Sequence, residues 1–195
     1  MSDPVEVLDF WLGEVGPEGW YAGGEALDAE CRLRFGDLWQ AAHEGGLEHW
    51  VEGAAGTLAY LVICDQLARN IHRGRAEAFA TDARARAAAR KAVAAGWDLE
   101  APEPERQFFY MPFEHSEDAA DQALAVQLLT ERLASDPEMA LHARAHQAII
   151  ARFGRFPFRN AALGRETTPE EAEFLANGGY AAEVARQRAI HAPGA

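Results

Sequence analysis

Apolar residues along this chain recur at helical spacing, and nowhere do they alternate for long with polar ones. In Leu124-Ala125-Val126-Gln127-Leu128-Leu129, continuing to Leu133, they fall on one face of an α-helix. The stretch from Leu58 to Leu67 is apolar nearly all round until Asp65, which marks a central helix rather than a surface one. Thr81 to Ala95 is dominated by alanine, the residue that loses least on entering a helix. Start signals agree. Asp3-Pro4-Val5-Glu6 and Thr168-Pro169-Glu170-Glu171 each place a capping side chain, a first-turn proline and a glutamate at the third helical position. Asp136-Pro137-Glu138, preceded by Ser135, is a related form. Ser116-Glu117-Asp118 offers a cap and two acids at the head of the helix that leads to Leu124.

Strand signals are weak. The Asn177-Gly178 pair lacks strand-like flanks and does not read as a hairpin. Ala101-Pro102-Glu103-Pro104 reads as a loop, Gly178-Gly179 as a helix end, and the chain from about His191 as a loose tail. These patterns predict an all-α fold of about eight to ten helices with short connections. A repeat of roughly 34 residues is not evident in the sequence, although helix pairs of that size fit.

Composition sets the scale. With 195 residues, 49% of them hydrophobic, the chain has enough for one domain, residues 1–195, with a sizeable core. The formal net charge of −13 argues against nucleic acid and against an anionic membrane surface as partners. No stretch approaches the roughly 18 apolar residues of a membrane span. The acidic N-terminus lacks the features of a secretory leader. Cys31 and Cys64 are not at a metal-type spacing, and Cys64 sits in an apolar run as a small buried hydrophobe. A reducing, cytoplasmic setting is expected.

Against that acidity, the arginines stand out. Arg152 to Arg165 holds four arginines and no carboxylate, in Arg155-Phe156-Pro157-Phe158-Arg159-Asn160 and on to Arg165. A second element is Arg69-Asn70-Ile71-His72-Arg73-Gly74. Of the 18 basic residues only Lys91 is a lysine, so an arginine alone says little here; grouping carries the argument. Asp65, four residues before Arg69 and in a dry stretch, needs a cation and has Arg69 on its own helical face. It either closes a helix end or aims Arg69 at a ligand. The second element is either pinned to the acidic segment Glu114 to Asp121 or open to an anion, which arginine grips with two parallel hydrogen bonds. His115, in Phe113-Glu114-His115-Ser116-Glu117-Asp118, and His146 are the candidate general bases. His142 and His146 share a helical face, but Ala143 stands where a zinc-protease helix needs glutamate, so no metal is expected.

These residues, with Phe10-Trp11-Leu12-Gly13, Ala78-Phe79-Ala80-Thr81-Asp82, Phe109-Tyr110-Met111-Pro112 and Leu163-Gly164-Arg165, resemble in order the bacterial family catalogued as domain of unknown function 924. The likeness runs from Phe10 to about Leu175. It implies an all-helical, tetratricopeptide-like architecture of packed helix pairs and no established activity. Ala68 stands where the family usually has proline, and Phe158 where it often has histidine.

The expectation is a helical domain in which Arg69, Arg73, Arg155 and Arg159 converge on a small carboxylate or phosphate compound, or an acidic peptide. Asp65 and Asn160 would orient them, and His115 would line the site. No cofactor is expected. Two alternatives stay open: a hydrolase-type enzyme with His115 or His146 as base, and a structural module in which the arginines only tie segments together.

Overall fold

The computed structural model describes residues 3–191, and among them every regular element is helical. The protein is all-α, as the patterning predicts. Residues past His191 lie outside the described part, and with them most of the expected loose tail. Contacts sort the chain into two compact units, Met1–Pro112 and Phe113–Ala195.

The first unit is built on a continuous helical rod from Ala54 to Ile71. Every residue from Thr57 to Ala68 is buried, so the expectation of a central helix holds. Its middle differs from expectation: Val62–Leu67 widens into a π-helix, which carries Asp65 and Gln66. Such segments are rare and tend to occur where function or packing imposes them. The rod approaches the preceding chain closely at Gly56, where an added Cβ would lie 2.3 Å from the Trp50 carbonyl oxygen. Alanine there would force backbone to move. The Glu25–His43 and Asp82–Ala95 helices pack on the rod. The latter turns Ala85, Ala88, Ala89 and Ala92 inward, a small-residue face that lets the two helices come close. It ends at Gly96, whose φ of 76° suits glycine as a left-handed helix stop. Both cysteines are buried; burial pushes the Cys31 thiol up to about 11 and Cys64 to about 12, so neither is a nucleophile near neutral pH.

The second unit pairs the Ala119–Arg132 helix with the Pro137–Phe153 helix and lays Gly179–Ile190 on the latter. Ile149, Ile150, Phe156 and Phe174 form one buried cluster, and Leu141, Ala145 and Val184 another, with Tyr180 packed against both. Phe156 is fully enclosed, and its truncation to alanine would cost about 3–5 kcal/mol. The predicted caps hold at Asp3, Asp136 and Thr168, the last as a reciprocal capping box with Glu171. One cap is corrected. The Ala119–Arg132 helix is capped by Asp118, which accepts from the amides of Ala120 and Asp121. Ser116 instead accepts from the Asp118 amide and donates to Asp121. The shift follows from acidity, because a carboxylate is the stronger acceptor at a positive helix end.

Candidate functional site

In the first unit the helix end at Ile71 decides where the arginines go. Arg69, still helical, donates to Asp82 Oδ1 at 2.8 Å and lies 3.4 Å from Asp65 Oδ1. It also donates to the Ala78 carbonyl. Gln66 Nε2 bonds the other oxygen of Asp65. Past the helix end, Arg73 takes a different carboxylate: its Nη2 reaches Asp28 Oδ1 at 2.7 Å, and Asn70 donates to the same oxygen at 2.9 Å. The Arg73 guanidinium beside Asp28 holds that carboxyl below the usual range, with help from Asn70 and against the effect of burial. Asp65, Arg69 and Arg73 therefore all have carboxylate or guanidinium partners within this unit. Of the two acids that complete the set, Asp28 went unnamed in the sequence, 45 residues from Arg73, and Asp82, 13 residues from Arg69, entered only through the family resemblance.

The second arginine element is tied down from two sides. Arg155 makes a two-point contact with Glu171, at 2.6 and 2.8 Å, and reaches the Glu166 carbonyl. That pairing, together with the Thr168 amide, holds the Glu171 carboxyl down at about 2. Asn160 donates to Glu171 at 3.2 Å and accepts from Arg165 Nε at 3.0 Å. Arg165 in turn grips Glu117 through both terminal nitrogens. The same Glu117 accepts from the Phe156 amide. The acidic segment from Glu114 does meet the loop, through Glu117, but Arg155 draws its carboxylate from the Pro169–Ala176 helix.

What remains is a cluster of titratable rings. His146, on the Pro137–Phe153 helix, has Nδ1 2.6 Å from Glu114 Oε1. The approach lies off the hydrogen-bond line, and Glu114 Oε2 is buried with no hydrogen bond among the described residues. The Glu114 side chain is 3% exposed and that of His146 12%. The rings of His115, Phe156 and Tyr180 surround His146 at centroid distances of 6.1, 5.3 and 4.7 Å. Tyr180 also meets His142, whose Nδ1 lies 2.5 Å from the phenol oxygen. Arg159 lies over the Phe156 ring at 4.5 Å. His142 and His146 share Tyr180, but their Nδ1 atoms face the phenol and Glu114 respectively, and no cluster of three metal-type ligands occurs among the described residues.

Burial lowers the basicity of His146, and the nearby His115 and Arg159 charges lower it further, against the pull of Glu114. Burial would raise the Glu114 carboxyl, yet His146, His115 and His142 together hold it below its ordinary value. Both directions describe one state: an ionised Glu114 beside a neutral His146. The carboxylate faces the Nδ1 side of the ring, so a proton held there would leave Nε2 as the lone-pair nitrogen. Neither Glu114 nor Tyr180 was read as a partner of His146 in the sequence. Glu114 stood beside His115 in an aromatic run, and nothing local linked it to a histidine 32 residues away.

Comparison with known proteins gives the family and the fold. The pattern of a bacterial protein family of unknown function, DUF924, matches residues 7–179. The chain belongs to the DUF924 family. A solved structure, that of the protein of unknown function ATU0120 from Agrobacterium tumefaciens, is similar to it at 41% identity and a TM-score of 0.84. The match covers 90% of this chain and 97% of that one. No functionally curated protein matches. The DUF924 assignment thus carries the fold, and the site must be argued from its own chemistry. Among the described residues, no helix is long and apolar enough to cross a membrane.

Proposed function

We propose that residues 113–195 carry a hydrolase-type site for a small anionic compound, a carboxylate or a phosphate, acting in the cytoplasm. His146 is the general base: neutral near pH 7, it takes the proton of an attacking water on Nε2 while Glu114 holds its ring. Arg159 supplies the positive charge, and His115 a ring N–H donor, on which the substrate anion and the charge developing during attack would rest. In this reading Arg155, Asn160, Arg165 and their carboxylates hold the loop that presents Arg159. Asp65, Arg69 and Arg73 brace the first unit. The observation that carries the proposal is the buried Glu114–His146 contact with its unsatisfied polar atoms, because a fold that needed only packing would have no use for them.

The test is turnover of p-nitrophenyl acetate and p-nitrophenyl phosphate by the protein and by His146→Gln. Hydrolysis above the solution rate, falling about a hundredfold or more in the variant, is expected. Equal rates in both proteins, with the variant folded, would rule out His146 as the base.

A second reading keeps the arginines as binding groups without chemistry. Arg73 favours it, since its side chain is 54% exposed although bonded to Asp28. Within one unit or the other, Arg69 and Arg73, or Arg155 and Arg159, would then exchange internal carboxylates for a ligand anion or an acidic peptide. Phosphate and small dicarboxylates should raise the melting temperature, and millimolar concentrations without effect would remove this reading.

A further inference from the structure

One face of the second unit is uncharacteristic of so acidic a chain. A groove of about 500 Å³ runs along the Ala119–Arg132, Pro137–Phe153 and Gly179–Ile190 helices and ends at His191. That volume is in the range of sites that enclose small organic ligands. Its floor is small and apolar, including Val126, Ala148 and Ala151. Its polar positions are three carboxamides, Arg144 and His191, and no carboxylate lines it among the described residues.

Arg144 is the main reason to expect a ligand. Arg152, Arg155, Arg165, Arg186 and Arg188 in the same unit each hold a carboxylate. Arg144 forms no ion pair among the described residues, and its guanidinium bonds the Thr130 hydroxyl at 3.4 Å. Gln122 is an independent second sign. It is fully buried, and its Nε2 is committed to the carbonyls of Glu114 and Ser116, each at 2.6 Å. That commitment fixes which end of the amide is which, and Oε1 is left a buried acceptor with no hydrogen bond. At the far end, His191 turns Nδ1 toward the Gln187 carbonyl at 2.9 Å.

We infer that this groove binds the C-terminal end of a peptide. Arg144 would take the terminal carboxylate through paired N–H donors. Gln122 Oε1, which has no accessible surface here, would accept from a peptide N–H once the side chains of the groove wall move aside, and the Gln147 carboxamide has both a donor and an acceptor for the backbone beside it. Small apolar side chains would fit against Val126, Ala148 and Ala151. The assignment rests on charge complementarity: an unpaired cation, a buried acceptor that lacks a donor, and a wall without acids together match a carboxylate next to an amide.

The experiment uses the full chain and fluorescein-labelled peptides ending in Ala-Ala, by fluorescence anisotropy. The free-carboxylate peptide should bind, and its C-terminally amidated form should bind about tenfold or more weakly. Arg144→Met should lose binding to the same degree with an unchanged melting temperature, since no internal carboxylate is orphaned. Gln122→Leu should weaken the free-acid peptide as well; Gln147→Ala is a second variant should that buried change impair folding. No binding of the free-acid peptide at millimolar protein, or equal binding of both peptides, would overturn the inference. Binding of N-acetyl-alanyl-alanine without binding of the longer peptide would overturn the peptide assignment. Because the groove is separate from His146, His146→Gln should leave peptide binding intact whether or not hydrolysis is observed.

Discussion

The two arginine elements look alike in sequence and are held in different ways. Around Arg69 and Arg73, guanidinium groups at a helix end meet Asp65, Asp82 and Asp28, and no ionisable ring is involved in those bonds. Around Arg155 to Arg165, the same pairing with Glu171 and Glu117 occurs at the border of a histidine cluster built on a buried carboxylate. The comparison teaches that arginine density is a poor marker of a site. Both elements neutralise arginine internally. What distinguishes the second is a carboxylate and a histidine in contact, Glu114 and His146, that both keep an unsatisfied polar atom; in the first element His72 Nε2 is also left without a hydrogen bond.

The largest effect that would sharpen this contrast lies in the first element. Asp65→Asn removes the buried carboxylate from its arginine while Asp82 remains, and should cost on the order of 3 kcal/mol in urea unfolding. It should leave the His146 NMR titration unmoved; a shifted titration would break the separation drawn between the elements. Next is Glu114→Gln. The carboxylate raises the basicity of His146, so its removal should move the His146 titration further down. It should also reduce any hydrolysis by about a hundredfold. A titration that rises instead would place the proton on the wrong partner.

Acid sensitivity tests the second element with a definite sign. The Glu171 carboxyl is depressed from 4.5 to about 2, so the stability it contributes is full above about pH 4.5 and is lost as pH falls toward 2. Arg155→Met should flatten that limb of the melting-temperature profile and lower the melting temperature at neutral pH. His146 is also depressed, from 6.5, so its contribution is present above about pH 6.5 and is lost as pH falls through its folded value. His146→Phe should remove the loss in that window. The smallest effect is expected at Arg73→Met. Its guanidinium is half exposed, and the change should cost under about 1 kcal/mol. A much larger loss would mean that Arg73 braces the first unit more than its exposure suggests.

Much of the local grammar was legible. The capping box at Thr168, the caps at Asp3 and Asp136, the alanine helix and the buried rod all follow from interactions that span a few residues. The Asp65–Arg69 pair was legible for the same reason, since four residues is one helical turn. The π-helix at Val62–Leu67 was not, because a uniformly apolar run carries no phase from which a widened turn could be read. The caps of the Ala119–Arg132 helix were misjudged by two residues where Ser116 and Asp118 compete for the same role. The carboxylate that Arg155 takes was not legible, because Glu117 and Glu171 are equivalent in charge and only the path of the loop chooses between them.

Sequence alone therefore determined the helical class, most helix starts, the DUF924 resemblance and the positions of charge, all of which are set by contacts within a turn or two or by the order of motifs. Tertiary structure decided which carboxylate meets which guanidinium, which histidine meets a buried carboxylate, and that Arg144 forms no ion pair among the described residues. Those outcomes depend on segments brought together from tens of residues apart. Charge is long-ranged and indifferent to sequence separation, so only the packed backbone can assign its partners.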